Sequence, residues 1–129
     1  TRVRSSAASD VYKRQLYNLV HNAIRHTQPG GIVVLGVCIE GPIVLLQVKD
    51  TGEGIAAEEL VRIWERFYQA RTPSAQLSSG SGLGLAIVKE LTEAMGGTVA
   101  VESTLGEGSC FSLCFPLIPS YSMPMVNYV

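Results

Sequence analysis

Apolar residues recur three or four positions apart in three stretches of the chain, a spacing typical of helices that bury one face. In the first stretch Leu16, Leu19 and Ala23 share such a face, and Pro29-Gly30-Gly31 follows as a helix-ending signal. A Gly96-Gly97 pair ends the third stretch in the same way. The first predicted helix contains Leu16 and ends near residue 26, with Asp10 as a candidate N-cap, and the other two predicted helices span residues 56–65 and 83–95.

Four shorter stretches are rich in apolar and β-branched residues and predict strands at residues 32–40, 43–49, 98–102 and 109–117. Short turn segments join the strands in pairs, so each pair is predicted to form a hairpin. The apolar residues of the first hairpin do not alternate cleanly, which predicts cover on both faces for at least part of it. The order of elements favours an α+β fold, a two-layer sandwich in which one mixed sheet carries helices on one face.

Composition and charge narrow the classes of function. Hydrophobic residues make up 47% of the 129 residues, enough for one compact domain with a core. The formal net charge is -1, without a block of like charge, so electrostatics favour neither a nucleic-acid partner nor direct membrane contact. Cys38, Cys110 and Cys114 lack a paired spacing, and their apolar surroundings predict buried, reduced thiols in a cytoplasmic domain.

The beginning of the chain matches a laboratory sequence. Ser5 to Gln15 reads SSAASDVYKRQ, the in-frame translation of a transposase adapter used in sequencing libraries. We therefore predict that residues 1–15 are a non-native, adapter-derived segment and that the natural sequence begins near Leu16. The predicted domain covers residues 16–117, and residues 118–129 are predicted to be a loosely held tail.

Asn18, Asn22 and Arg25 lie four and three residues apart in the first predicted helix and therefore share one face. Amide oxygens can complete the coordination shell of Mg²⁺, which mainly keeps water and phosphate oxygens as its ligands. A guanidinium on the same face can bind a phosphate. The alternative is a polar helix face that only meets solvent.

Asp50 directly follows an apolar strand and opens the segment Asp50-Thr51-Gly52-Glu53-Gly54-Ile55. A carboxylate at a strand end is partly buried and needs a hydrogen-bond donor, such as the exocyclic amine of adenine. Gly52 and Gly54 lack a Cβ, which lets a flat ring approach the backbone. The alternative is an ordinary turn made of Asp and Gly residues.

Gly80, Gly82 and Gly84 alternate with other residues and lead into the third predicted helix. The free N–H groups and the positive dipole end of a helix start form an anion site, which suits a triphosphate. The spacing matches neither the Walker loop nor the dinucleotide fingerprint.

Together and in this order, these segments resemble the ATP-binding catalytic domain of bacterial sensor histidine kinases. The superfamily also includes type II topoisomerases, the ninety-kilodalton heat-shock chaperone and the mismatch-repair ATPases, and the resemblance implies their Bergerat-type fold. The N box, first glycine box, F box, second glycine box and closing hairpin match residues 18–27, 50–55, 64–68, 80–85 and 106–111. The resemblance covers residues 16–117.

The resemblance implies roles by position. Asn22 would be the Mg²⁺ ligand, supported by Asn18, and Asp50 would accept a hydrogen bond from adenine N6. Ser109 would reach the adenine side through water. The other implied nucleotide contacts are Arg25 and His26 at the phosphates, Gly52, Gly54 and Ile55 at the base, and Gly80, Gly82, Leu83, Gly84 and Leu85 at the second glycine box. The implied catalytic residues are Asn18, Asn22 and Arg25.

The segment at residues 69–81 is polar and contains Pro73, which predicts a mobile loop. By resemblance, Phe67 would anchor this loop as a lid over ATP. The family often has glutamine four residues before the first N-box asparagine, whereas Gln15 lies three before Asn18. Such a one-residue slip is expected if Gln15 is the last residue of the adapter.

Asn18 distinguishes a kinase from an ATPase. Hydrolysing members of the superfamily carry at this position a glutamate that activates water, and an amide has no basic lone pair for that task. Phosphoryl transfer to an incoming histidine needs positioning and charge neutralisation more than a base. The F box, absent from those ATPases, supports the kinase interpretation.

The resemblance implies an enzyme that transfers the γ-phosphoryl of Mg·ATP to a histidine on a separate dimerisation domain of the same protein. A homodimeric parent, a downstream response regulator and a membrane-anchored parent with this domain in the cytoplasm are implied as well. Two alternatives remain: a serine kinase that acts on an anti-sigma antagonist, and a nucleotide sensor without transfer activity.

Overall fold

The computed structural model describes residues 2–69 and 84–116, with side chains from residue 13 onward. Helix α1 spans Arg2–Arg25, and strands β1 (Val33–Glu40) and β2 (Ile43–Asp50) follow. After a short 3₁₀ turn at Ala57–Glu59 come helix α2 (Gly84–Ala94) and strands β3 (Thr98–Thr104) and β4 (Gly108–Pro116).

The four strands form one sheet in the order β1-β2-β4-β3. The α+β class is confirmed. The sheet is not mixed as predicted, because β4 lies between β2 and β3 and runs antiparallel to both, while β1 and β2 form an antiparallel hairpin. Asp50 pairs with Ser109 in the register of β2 and β4, so the end of the first hairpin meets the start of the last strand.

One face of the sheet packs against the helices and forms the core. Val48 and Phe111 are paired in register and at most 1% exposed, and they contact helix residues such as Leu19 and Val88 in a single cluster. On β4 buried and half-buried residues alternate along the strand, as expected for a strand with one covered face.

The first strand does not have the double cover that its sequence predicts. Leu35, Val37 and Ile39 lie in register with Val48, Leu46 and Val44, yet they are 49–61% exposed. These residues are exposed because β1 is an edge strand, whereas the buried helix residues pack over β2 and β4 in the middle of the sheet. Cys38 is exposed for a different reason: it lies on the opposite face of the sheet, in register with Leu45, away from the buried cluster. The prediction of a buried thiol was wrong there, while Cys110 and Cys114 are half-buried.

The helix predicted over residues 56–65 is mostly a run of tight turns. Backbone N–H groups of Glu59, Arg62 and Glu65 each bond the carbonyl three residues before them, which is the 3₁₀ rather than the α pattern. This curvature lets the neighbouring residues Ile63 and Trp64 both face the core, where the Trp64 ring meets Phe111 edge to face at 5.8 Å.

Both described helices end within one residue of the predicted positions. Gly96 adopts a φ of 84° after α2, and the Gly97 N–H bonds the Thr92 carbonyl at 2.9 Å, a glycine-ended helix stop. Between the helices, the Gln15 side chain is fully buried and its Nε2 donates to Thr92 Oγ1 at 2.6 Å. Gln15 Oε1, however, is buried without a partner among the described residues, which costs stability.

Candidate functional site

Asp50, the last residue of β2, lies at the centre of the candidate site and is only 4% exposed. Its Oδ1 accepts hydrogen bonds from the backbone N–H groups of Gly52, at 2.8 Å, and Ser109, at 3.3 Å. Within the described residues, Oδ2 accepts none. A nearly buried carboxylate with one oxygen held and the other available is suited to accept a hydrogen bond from a ligand.

Two serines connect this strand end to the second hairpin. Ser103 Oγ accepts from the Ile55 N–H at 2.8 Å, donates to the Gly108 carbonyl at 3.0 Å and lies 2.7 Å from Ser109 Oγ. Because Ser103 has a single hydroxyl hydrogen, Ser109 is the donor in the bond between the two serines. The network fixes the backbone at Ile55 and the side chain of Ser109 on the Asp50 side of the sheet.

The carboxyl end of α1 contacts the loop after Asp50 from the other side. The His26 carbonyl accepts from the Glu53 N–H at 3.1 Å, and His26 Nδ1 lies 2.8 Å from Glu53 Oε2. The two side chains are only 23% and 17% exposed. These contacts bring the N-box segment and the first glycine-box segment together, which their separation in sequence does not require.

Asn18, Asn22 and Arg25 are half-buried and lie at helical spacing on α1. Leu19 and Ala23, on the neighbouring face of the helix, are 1% exposed and belong to the core. The carbonyl of Asn22 accepts from the His26 N–H at 3.2 Å, so Asn22 lies one helical turn before the contact with the loop. The polar face of α1 therefore leads toward the Asp50 end of β2.

The two glycines of the first box permit close contacts between backbone segments. A Cβ at Gly52 would overlap the His26 carbonyl, and a Cβ at Gly54 would overlap the Thr104 carbonyl. Gly54 also has a φ of 75°, which side chains with a Cβ rarely adopt. The structure thus gives these glycines a role in joining α1, the loop and β3, in addition to the ring approach that the sequence predicts.

The second glycine box is only partly described. Gly84 is the first residue of α2, and a Cβ there would meet no atom within 4 Å. Leu85 and Ile55 are partly buried against the core cluster, so their side chains contribute to packing. The predicted phosphate contacts Gly80, Gly82 and Leu83 lie outside the described residues, as does most of the predicted lid.

Phe67, the predicted anchor of the lid, is 71% exposed and has a φ of 66°. Its neighbours make the contacts of this segment: the Arg66 guanidinium bonds Glu90 of α2 at 2.5 Å, and the Tyr68 hydroxyl donates to Glu59 Oε1 at 2.6 Å. The anchoring role of Phe67 stays a prediction, because residues 70–83 lie outside the described part of the chain.

Sequence reasoning did not single out Glu53 and Ser103. Glu53 stands inside a recognised motif, and a histidine at the end of the N box was the signal that could have suggested a partner for it. Ser103 gave no such signal. It accepts a hydrogen bond from the Ile55 N–H, but the two residues lie 48 positions apart and no sequence pattern links them. Only the pairing of β3 with β4 brings it to the site.

Residues 8–119 match the family described as histidine kinase-, DNA gyrase B- and HSP90-like ATPases. The chain belongs to this family. Its curated relatives include the circadian input-output histidine kinase CikA of Synechococcus elongatus, 43% identical over 78% of this chain and 13% of the relative. The sensor histidine kinase RppB of Synechocystis is 38% identical over 88% of this chain and 24% of the relative. The chain thus spans less than a quarter of these proteins.

Solved structures agree with the sequence relatives. The mycobacterial sensor histidine kinase MprB superposes with a TM-score of 0.75 at 32% identity, covering 84% of this chain and 73% of that one. Full-length ShkA, solved in complex with AMPPNP, gives a TM-score of 0.70 at 39% identity over 82% of this chain and 21% of that one. The prediction of an ATP-binding domain of the sensor histidine kinase type is confirmed.

Neither a membrane-spanning helix nor a metal-binding cluster is found among the described residues. None of the helices in the described ranges is both long and apolar enough to cross a bilayer. Among the side chains described, no group of three His, Cys, Asp or Glu is placed to hold a metal ion.

Proposed function

We propose that this domain binds Mg·ATP between the end of β2 and the polar face of α1, and that it transfers the γ-phosphoryl to a histidine on a separate dimerisation domain. The observation that carries the proposal is Asp50, a nearly buried carboxylate whose Oδ1 is held by two backbone N–H groups while Oδ2 accepts no hydrogen bond from the described residues. An adenine amine supplies the donor that such an oxygen lacks.

On the phosphate side, the proposal uses the half-buried face of α1. Asn22, with Asn18 beside it, offers an amide oxygen to Mg²⁺, a hard cation that takes oxygen ligands and keeps phosphate oxygens and water as the rest of its shell. When bound, the metal neutralises charge on the transferred phosphoryl. Arg25 adds a cation to this face, and the start of α2 adds backbone N–H groups.

The kinase class rests on Asn18. An amide cannot act as the general base that activates water in the hydrolysing members of the superfamily. A histidine nucleophile brings its own lone pair, so the domain only has to position ATP and stabilise charge. We expect the domain by itself to bind ATP and to turn it over slowly.

We propose, as the relatives' names suggest, that the parent protein is a sensor histidine kinase of a two-component system. The parent would be a homodimer that phosphorylates its own histidine and then passes the phosphoryl group to a response regulator. We also propose that this domain works in the cytoplasm and that the parent is anchored in the inner membrane.

The test is a transfer experiment with γ-labelled ATP, Mg²⁺ and the purified dimerisation domain of a relative. The expected product is label on that domain that is stable in base and lost in acid, as a phosphoramidate is. The acceptor His→Ala variant of the dimerisation domain should stay unlabelled. Acid-stable label would favour the serine kinase instead. ATP binding without any label on the acceptor would contradict transfer and favour the nucleotide sensor.

A further inference from the structure

A row of three polar side chains crosses the sheet at the end of its apolar core face. Asp50 of β2, Ser109 of β4 and Ser103 of β3 are paired in register, so their side chains lie on one face. The next row of that face includes Val48 and Phe111, which are at most 1% exposed and belong to the core. Asp50 and Ser109 are themselves only 4% and 8% exposed. Groups this nearly buried have few possible partners, so their hydrogen bonds can be counted.

The Ser103 hydroxyl uses its full hydrogen-bonding capacity inside the protein. Its Oγ accepts from the Ile55 N–H at 2.8 Å and donates to the Gly108 carbonyl at 3.0 Å. Its other lone pair is available to Ser109 Oγ, which lies 2.7 Å away. Because Ser103 has already used its single hydrogen, the hydrogen of this contact comes from Ser109. Ser103 therefore holds the hydroxyl hydrogen of Ser109.

The side chains of Asp50 and Ser109 offer a ligand only hydrogen-bond acceptors. The Ser109 N–H donates to Asp50 Oδ1 at 3.3 Å and its hydroxyl donates to Ser103, so only lone pairs remain on Ser109 Oγ. Asp50 Oδ1 also accepts from the Gly52 N–H at 2.8 Å, and among the residues described no donor reaches Oδ2. Two neighbouring acceptors favour a ligand edge that carries hydrogens and disfavour one that carries a carbonyl oxygen.

We propose that Ser103 is a specificity-determining positioning residue: by holding the Ser109 hydrogen, it makes the base end of the nucleotide site select a 6-aminopurine over a 6-oxopurine. This inference rests on the proposed function for its ligand. The amino group of adenine donates to the acceptors of this row, whereas hypoxanthine presents an oxygen at the same place. Without Ser103, the Ser109 hydrogen is free to turn toward that oxygen, directly or through a water, and the discrimination falls.

The binding test compares Mg·ATP with Mg·ITP by calorimetry, because the two nucleotides differ only at positions 1 and 6 of the purine ring. The measured quantity is the ratio of the two dissociation constants, which a general loss of packing leaves unchanged because it weakens both ligands alike. Ser103→Val removes the hydroxyl, and Ser103→Thr keeps it in a side chain of the same shape. We expect the preference for ATP to fall about tenfold in Ser103→Val and to stay within about twofold of the parent value in Ser103→Thr.

Two further variants test whether the effect passes through the Ser109 hydrogen. Ser109→Ala has no hydroxyl hydrogen to release, so adding Ser103→Val to it should leave the ratio unchanged. Ser112→Ala removes a serine from the other face of β4, where Ser112 accepts from Gln47 Nε2 at 3.1 Å, and should keep the parent ratio. An equal fall in Ser103→Thr and Ser103→Val, no fall in Ser103→Val, or the same fall in the Ser109→Ala background would overturn the proposal.

A readout without nucleotide keeps this inference distinct from the proposed function. The Ile55 N–H donates to Ser103 Oγ, so its exchange with solvent deuterium reports whether the hydroxyl is in place. In amide-exchange spectra, the Ile55 amide should exchange about tenfold faster in Ser103→Val than in Ser103→Thr. Equal exchange in the two variants would overturn the role of Ser103, whatever the nucleotide results. Failure of the parent chain to bind either nucleotide would instead refute the proposed function and the base assigned to this row.

Discussion

The two hairpins of this sheet use similar amounts of apolar sequence in different ways. The β1–β2 hairpin begins with the more continuous apolar run, yet Val37 and Ile39 are 61% and 60% exposed. The β3–β4 hairpin alternates, and its Phe111, Leu113 and Phe115 are at most 2% exposed. The difference teaches that strand order and helix cover together decide burial. β4 lies inside the sheet and β1 at one edge, while at the other edge Val99 and Val101 of β3 still pack against the core cluster.

The hairpins also differ in what they contribute to the site. The β3–β4 hairpin supplies Ser103, Gly108 and Ser109 to the network around Asp50. The first hairpin supplies only its final residue, Asp50 itself, together with the loop that follows. Of the edge strand β1, Val33 pairs in register with Asp50, whereas the residues after it lie progressively farther from this network.

The largest difference between the two hairpins is expected in the free energy of unfolding when a large side chain is truncated to alanine. Phe111→Ala should lower the free energy of unfolding by about 3–5 kcal/mol, since it removes a ring that is 1% exposed and packs on Trp64. Val37→Ala, at the edge, should change it by less than about 0.5 kcal/mol. Urea unfolding of both variants measures the difference. Equal losses would mean that something covers β1 in solution.

The next largest effect is expected on ATP affinity at Asp50, where the first hairpin meets the second. Asp50→Asn should weaken ATP binding by about 10- to 100-fold, because Oδ2 loses its charge as acceptor for the adenine amine. Calorimetry with Mg·ATP measures the change, and Val37→Ala serves as the control that should bind normally. An unchanged affinity for ATP in Asp50→Asn would count against the assigned pocket.

A pair of glycine substitutions sharpens the same comparison. Gly108 has a φ of 132°, and a Cβ there would overlap the Asp50 carbonyl. Gly108→Ala should therefore destabilise the domain by about 1–3 kcal/mol. Gly36 on β1 has no atom within 4 Å of a built Cβ, and Gly36→Ala should stabilise by about 0.5 kcal/mol. Thermal unfolding of the two variants should therefore give shifts of opposite sign.

The smallest effect is a difference in thiol reactivity. Cys38 on the edge strand is exposed, whereas Cys110 and Cys114 on β4 are half-buried. A limiting amount of maleimide should label Cys38 first, because access of the reagent to the thiol controls the rate. Peptide mapping by mass spectrometry reports the order. Faster labelling of either β4 cysteine would contradict the edge position of β1.

At Gln15 an unusual spacing in the sequence coincides with an unsatisfied buried group in the structure. The spacing to Asn18 is one residue short of the family pattern, and the Gln15 side chain is fully buried with Oε1 unpartnered among the described residues. Buried amides normally satisfy both ends, whereas here only Nε2 has a partner, the buried Thr92 hydroxyl. The adapter origin of residues 1–15 stays a prediction, and the genomic sequence upstream of Leu16 is its direct test.

The sequence by itself determined the motifs, the α+β class, four strands and the helices at residues 16–26 and 83–95, because periodicity and turn residues act over a few neighbours. Tertiary structure alone decided the all-antiparallel order, the exposure of β1 and the tight turns after Asp50. It also decided the partners of Glu53 and Ser103. These features depend on which distant segments pack together, and hydrogen bonds between residues 27 or 48 positions apart leave no local pattern to detect.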